Sequence, residues 1–261
     1  MQIPSFSVGD DPGPDFAALL RASGLNPAAL DGPASAAGPI PHGTTVVAIR
    51  YADGVVMAGD RRATSGNFIS HRSIEKVFPA DRWSGVAIAG AAGPAMEMVK
   101  LFQLQLEHYE KVEGQALSLE GKANQLSQMV RNHLPAAMQG LAVVPLFAGY
   151  DTRREIGRLF QYDVTGGRYE ENDYATSGSG GLHAATVIKL GFADALDRAA
   201  TVDLALRALI TAADEDSATG GPDPARGIWP VVATIDAVGF TRLADTELAE
   251  RFAALTEGTG R

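Results

Sequence analysis

The stretch His42-Gly43-Thr44-Thr45-Val46-Val47-Ala48-Ile49 divides the chain in two. Ahead of it runs a leader rich in Pro, Gly, Ala and Asp; behind it, a β-branched run opens a long series of strand and helix patterns. A glycine and two threonines before such a run read, at their plainest, as a loop entering a first strand. The same residues also fit a self-processing site. Cutting the Gly43-Thr44 bond would leave Thr44 with a free α-amine beside its own hydroxyl, and such an amine can act as base for that nucleophile. The tripeptide by itself does not decide between loop and site, because a motif counts only in its structural context.

Composition narrows the classes. At 261 residues the chain can bury a full core, and with residues 1–43 set aside as a leader the remainder, 44–261, suits one large domain. Hydrophobic residues make up 46% and charged residues 20%, ordinary values for a water-soluble globular chain, and no apolar run approaches the roughly 18 residues that a membrane span requires. A net charge of -9 argues against a nucleic-acid partner, since phosphate binding is driven by clustered Lys and Arg. The absence of cysteine excludes disulfides, thiol catalysis and cysteine-ligated metals. Asp10, Asp11 and Asp15 occupy a start that has neither a basic nor an apolar region of the secretory kind, and a cytoplasmic location is expected.

Within the leader, Phe16, Leu19, Leu20 and Leu25 could form a turn or two of amphipathic helix. From Thr44 on, residues 44–51 and 55–60 read as a hairpin about Ala52-Asp53-Gly54. Further strands are expected over 74–78 and 86–90. Gly90-Ala91-Ala92-Gly93-Pro94 opens a helix to about Tyr109, and a second runs from Ser118, an N-cap, to about His133, with Pro135 as its stop. Strands over 143–150, 158–164 and 168–175 follow as an antiparallel meander. Ala184, Val187, Ile188, Gly191, Phe192 and Ala195 then repeat at helical spacing, as do Val202, Leu206, Leu209, Ile210 and Ala213. Strands near 230–236 and 239–243 and a helix from Asp245 close the chain before a polar tail. Strands, helix pair, strands, helix pair, strands is the order expected of an α+β fold with two antiparallel sheets between helix layers, a four-layer αββα sandwich.

Several residues could carry chemistry. Asp60-Arg61-Arg62 lies about as far from the hairpin turn as Thr44 does, so strand pairing brings the acid near the threonine; a solvated charge cluster is the plainer reading. Lys76 falls in an apolar run and either faces outward on an edge or points inward, where it needs a carboxylate, with Asp60 available. Thr176-Ser177-Gly178-Ser179-Gly180-Gly181 precedes a helix yet lacks the lysine of a phosphate loop. Asp214-Glu215-Asp216-Ser217-Ala218-Thr219-Gly220-Gly221 reads as a helix ending in a Gly-Gly cap, and its acids do not match a calcium loop. The five histidines show no metal-ligand spacing.

Taken together, Gly43-Thr44-Thr45, Gly59-Asp60-Arg61-Arg62-Ala63-Thr64, Lys76, Ile88-Ala89-Gly90, Gly178-Ser179-Gly180 and Asp216-Ser217-Ala218-Thr219-Gly220-Gly221 resemble the proteasome core-particle β subunits of actinobacteria, in the N-terminal-nucleophile hydrolase superfamily. The resemblance spans Thr44 to about Leu255. It implies a threonine endopeptidase with residues 1–43 as a propeptide removed at Gly43-Thr44, and no cofactor or metal. It makes Thr44 the nucleophile, with Asp60 and Lys76 holding and polarising it. The Gly90 N–H becomes the oxyanion donor, and Ser179, Asp216 and Thr219 support the threonine amine. Thr219 stands where many members have serine. The substrate pocket would be lined by Ala63, Thr64, Ile74, Ile88, Ala92 and Met96. The implied partners are α subunits, other β subunits in a seven-membered ring, a ring-shaped ATPase acting through the α ring, and proteins tagged with a ubiquitin-like modifier. Rival readings are a simpler ATPase-docked threonine protease, a small-molecule amidase, and a non-catalytic structural β subunit.

Overall fold

The computed structural model describes residues 43–257. The apolar patch at Phe16, Leu19, Leu20 and Leu25 lies outside the described residues. In chain order the strands are β1 Thr45–Tyr51, β2 Gly54–Gly59, β3 Ala63–Ser65, β4 Phe68–His71, β5 Val77–Asp81, β6 Ser84–Gly90, β7 Val143–Asp151, β8 Ile156–Tyr162, β9 Arg168–Glu171, β10 Tyr174–Gly178, β11 Val231–Asp236 and β12 Gly239–Arg242. The helices are α1 Ala92–Glu113, α2 Leu119–Asn132, α3 Leu134–Ala137, α4 Gly181–Gly191, α5 Arg198–Glu215 and α6 Asp245–Glu257.

Two five-stranded antiparallel sheets result, ordered β10-β1-β2-β11-β12 and β5-β6-β7-β8-β9, with β3 and β4 as a separate hairpin. The period-2 geometry of β1 shows why both sheets are sandwiched. Val46 and Ala48 point into a core shared with Ala87, Leu146 and Leu159 of the second sheet. Val47 and Ile49 point the other way, into a core with Ile188 of α4 and Val202 and Leu209 of α5. On the far side, Phe147 and Phe160 pack with Phe102 of α1 and Leu126 of α2. A strand covered on both faces is apolar without alternation, which is what 45–49 displays. The αββα order expected from the sequence is the order found, and Ser118 caps α2 by accepting from the Gly121 N–H at 3.1 Å.

Four local readings need correction. Residues 168–175 form two strands in different sheets: after β9 the chain bends at Asn172-Asp173, held by Arg50 donating to the Asn172 carbonyl, and β10 pairs with β1 instead. The strand expected over 74–78 lies at Val77–Asp81, so Lys76 precedes it; Pro79 is tolerated because β5 is an edge strand. Pro135 does not stop the helical path but starts the short α3. Helix α5 ends at Asp216 in an extended conformation rather than in a Gly-Gly cap, and Gly220 has a different use described below. The β3–β4 hairpin had no recognised signal in the sequence.

Candidate active site

Register assembles the site. In the β1–β2 pair Val46 stands opposite Gly59, so the next residue out, Asp60, meets Thr45: the Asp60 N–H donates to the Thr45 carbonyl at 3.1 Å, and the Thr45 N–H donates to Asp60 Oδ1 at 2.8 Å. On the other edge of β1, Thr45 stands opposite Gly178, which places Ser179 beside Thr44. Two antiparallel neighbours thus deliver an acid and a hydroxyl to either side of one strand end. The second sheet contributes the chain entering β5, where the Ile88 N–H donates to the Lys76 carbonyl at 2.9 Å, and the end of β6 at Gly90.

Asp60 is fully buried and accepts four donors. Thr45 N–H at 2.8 Å and Lys76 Nζ at 2.6 Å reach Oδ1; Arg62 N–H at 2.9 Å and Gly220 N–H at 2.8 Å reach Oδ2. Lys76 is 3% exposed and also donates to the Arg62 carbonyl at 2.6 Å and the Gly43 carbonyl at 3.4 Å. Burial pushes the Lys76 ammonium below the ordinary lysine range, against the opposing pull of Asp60. The inward reading of Lys76 is therefore the one found, and the pair is hydrogen-bonded at every available point, as a buried ion pair must be.

Thr44 is buried, and its Oγ1 donates to the carbonyl oxygen of Gly43 at 2.7 Å. Its N–H donates to Ser179 Oγ at 3.4 Å. Ser179 and Thr219 both donate to Asp216 Oδ2, the latter at 2.6 Å, and the Ala218 N–H donates to Asp216 Oδ1 at 3.1 Å. Partial burial would raise the Asp216 carboxyl, but these donors outweigh it and hold the group below the usual carboxylate range.

A cavity opens beside the hydroxyl. Ala63, Thr64, Ile74, Ile88, Ala92 and Met96 all line it, together with Gly43, Thr44, Lys76 and Gly90, and with Ala89 and Ala95, which were not expected among the lining residues. Gly90 has φ +113°, and a Cβ there would come within 2.1 Å of the Ala142 carbonyl oxygen, so this backbone turn is open to glycine alone. A second close approach occurs at Gly43, where a Cβ would lie 2.1 Å from Ala218 Cβ and 2.4 Å from the Ala218 carbonyl oxygen.

Four participants escaped the sequence reading: the Arg62 carbonyl, the Gly220 N–H, the Ala218 wall against Gly43, and the Thr45 hydroxyl. Backbone groups and walls leave no residue-type signal, but Thr45 is visible as the second member of a Thr-Thr pair. As it stands, the site holds a hydroxyl on a peptide carbonyl with a cation on the same oxygen, beside a mostly apolar cavity; this arrangement can perform acyl transfer.

The sequence profile of the proteasome-subunit family matches residues 40–223. The chain is 61% identical over 250 residues to the proteasome subunit beta of Acidimicrobium ferrooxidans, a match covering 96% of this chain and 92% of that one. It is 60% identical over 210 residues to the proteasome subunit beta of Streptomyces griseus, covering 80% of this chain and 75% of the relative, and 57% identical over 231 residues to that of Acidothermus cellulolyticus, covering 87% and 80%. With two sandwiched antiparallel sheets and a match across nearly its whole length, the chain belongs to the proteasome subunit family, on its β side and in the actinobacterial branch.

Proposed function

We propose that this β subunit is a threonine endopeptidase made as an inactive precursor and activated by its own hydroxyl. The observation carrying this reading is the 2.7 Å contact of Thr44 Oγ1 with the Gly43 carbonyl, whose oxygen also faces Lys76 Nζ. Attack of Thr44 Oγ1 on the Gly43 carbonyl carbon forms a C–O bond. Breaking the C–N bond gives an ester and a protonated Thr44 nitrogen, and water hydrolyses the ester to release residues 1–43 as a carboxylate. Lys76 stabilises the charge developing on the carbonyl oxygen, and the Gly90 N–H is the second donor there.

After release, the Thr44 α-amine is the base. A model value of about 7.7 to 8.0 needs little adjustment to work near neutral pH, and no histidine is required. Peptide substrates are cleaved through the same ester chemistry, with Asp60 compensating Lys76 and with Ser179, Asp216 and Thr219 holding the amine. Ile74, Ile88 and Met96 make the pocket apolar, and no carboxylate is among its lining residues. A basic side chain before the scissile bond would be buried without a counter-charge, so large apolar residues are preferred.

The β subunits assemble with α subunits and with one another in seven-membered rings, in the cytoplasm, and receive tagged proteins from a ring-shaped ATPase. Retention of Thr44, Asp60, Lys76 and Ser179 in contact favours this over a non-catalytic subunit. The test is co-expression with the α subunit, followed by intact mass and N-terminal sequencing. A mature chain starting at Thr44 is expected, with the leader retained in Thr44→Ala. Any other first residue, or a processed and active Thr44→Ala particle, overturns the reading.

A further inference from the structure

Thr45 lies inside the protein, and its side chain is committed in a way its strand position does not explain. We infer that Thr45 is a positioning residue for the proposed nucleophile: its hydroxyl completes a one-directional chain of hydrogen bonds that fixes how Ser179 meets the Thr44 nitrogen. The inference rests on the threonine-peptidase reading above.

The direction of every proton in this chain follows by elimination. Asp216, as a carboxylate, only accepts, so Ser179 and Thr219 must donate to its Oδ2. Each hydroxyl has one hydrogen. Thr219 has spent its own, so in the 2.6 Å contact between Thr45 Oγ1 and Thr219 Oγ1 the donor is Thr45. Thr45 in turn accepts from the Gly180 N–H at 3.1 Å. Ser179 has likewise spent its hydrogen and presents a lone pair to the Thr44 nitrogen at 3.4 Å. The chain therefore runs from Gly180 through Thr45 and Thr219 to Asp216, and both ends of it grip the turn that carries Ser179. Hydrogen bonds aligned in series polarise one another, so loss of one weakens the rest.

A separate observation supports the arrangement. Gly180 has φ −83° and ψ 4°, a conformation open to any residue, so its backbone does not call for glycine. Its surroundings do: a Cβ at 180 would lie 2.4 Å from Thr45 Oγ1 and 2.7 Å from Thr219 Oγ1. The glycine makes room for the hydroxyl pair. Neither does the strand require a hydroxyl at position 45, since valine has the same branched shape and a high strand preference.

The test is Thr45→Val in the particle assembled with α subunits, with Thr45→Ser as the rescue. One measurement is independent of catalysis: hydrogen exchange across residues 176–181, which should quicken in Thr45→Val and return toward wild type in Thr45→Ser. The second is peptide hydrolysis. Loss of one buried hydrogen bond from the relay should lower kcat about tenfold with KM little changed. Ser179 as acceptor favours the protonated amine, so loosening it should move the acidic limb of the pH profile to lower pH; Lys76, Asp60, Arg62, Asp216 and His183, the charged and titratable groups around the site, are unaltered. Unchanged exchange in the turn overturns the inference, as does quickened exchange with wild-type kcat and pH profile. A wild-type particle without Thr44-dependent hydrolysis overturns the peptidase reading instead, and the exchange data still decide whether Thr45 holds the turn.

Discussion

Replacing Asp60 by Asn separates what holds the fold from what runs the chemistry. The carboxylate receives four donors, two at each oxygen, in a place with no solvent exposure. Asn keeps one oxygen and turns the other into an NH2 group. In either orientation two donors lose their acceptor and face a third donor, and Lys76 is left as a buried cation without a counter-charge. Breaking a buried ion pair costs about 3–5 kcal/mol, and each orphaned donor about 1–3 kcal/mol, contributions that overlap where the NH2 takes the Oδ1 place and Lys76 is counted in both. A net loss of about 3–5 kcal/mol is expected in denaturant unfolding of the full-length chain. Asp60→Asn combined with Lys76→Met removes both charges and fills the space with an apolar chain of similar length, so about 2 kcal/mol or more should be regained. Leader removal and peptide hydrolysis, followed by intact mass and a fluorogenic peptide after co-expression with α subunits, should fail in both variants. An Asp60→Asn chain as stable as wild type would refute the packing argument, and a double variant that processes its leader would refute the role given to the pair.

Further expectations concern separate parts of the molecule. Gly43→Ala should retard leader removal at least tenfold while leaving the fold intact, because its Cβ would strike the Ala218 wall; intact mass against time after assembly reads this. Arg158 is nearly buried and donates to Glu170 at 2.6 and 2.7 Å, Glu120 at 2.7 Å and Asp151 at 3.2 Å, and an ammonium, with three donors on one atom, cannot make four bonds that leave from three separate nitrogens. Arg158→Lys should therefore lower stability by about 1–3 kcal/mol, and Arg158→Ala by more, in denaturant titrations. Donors on Thr165, Gly167 and Tyr169 hold the Asp163 carboxyl down to about 2, so its contribution to stability is intact above its unfolded value and is lost as pH falls toward 2. Asp163→Asn should flatten the acid dependence of unfolding between about pH 4 and 2, checked against an NMR titration midpoint. Fluorogenic peptides ending in Leu, Tyr, Arg and Glu should be cleaved fastest after the apolar residues, with loose selection among them, since a methylene is worth only about 1–3 kcal/mol; Arg cleaved fastest would mean that a neighbouring subunit supplies an acid.

Periodicity and punctuation made much of the architecture legible. The hairpin at 44–60, the Ser118 cap and the paired helical repeats are local features, settled by residues within a turn or two of one another. The approach of Asp60 to this strand end was legible for the same reason, since a tight hairpin fixes which residues face each other; the register sets Asp60 opposite Thr45, one residue along from Thr44. The positions of Ser179, Asp216 and Thr219 were available only through the resemblance of the whole motif set, not from their own spacing.

Where the local reading went astray, a long-range choice had overruled it. Nothing in residues 168–175 states that the chain leaves one sheet at Glu171 and enters the other at Tyr174, because the residues on both sides are equally strand-prone and the choice is made by β1, which is over a hundred residues away. The same holds for the site: Ser179 lies 135 positions from Thr44 and Gly220 160 positions from Asp60. Sequence by itself determined the local pieces and the chemical types, a β-branched hydroxyl after glycine, an acid and a lysine, since these depend on propensity, turn geometry and residue identity. Tertiary structure alone decided that Lys76 turns inward onto Asp60 and that Thr45 joins Thr219, because burial, strand pairing across the sheets and the direction of each hydrogen bond are set by neighbours that only folding brings within 3 Å.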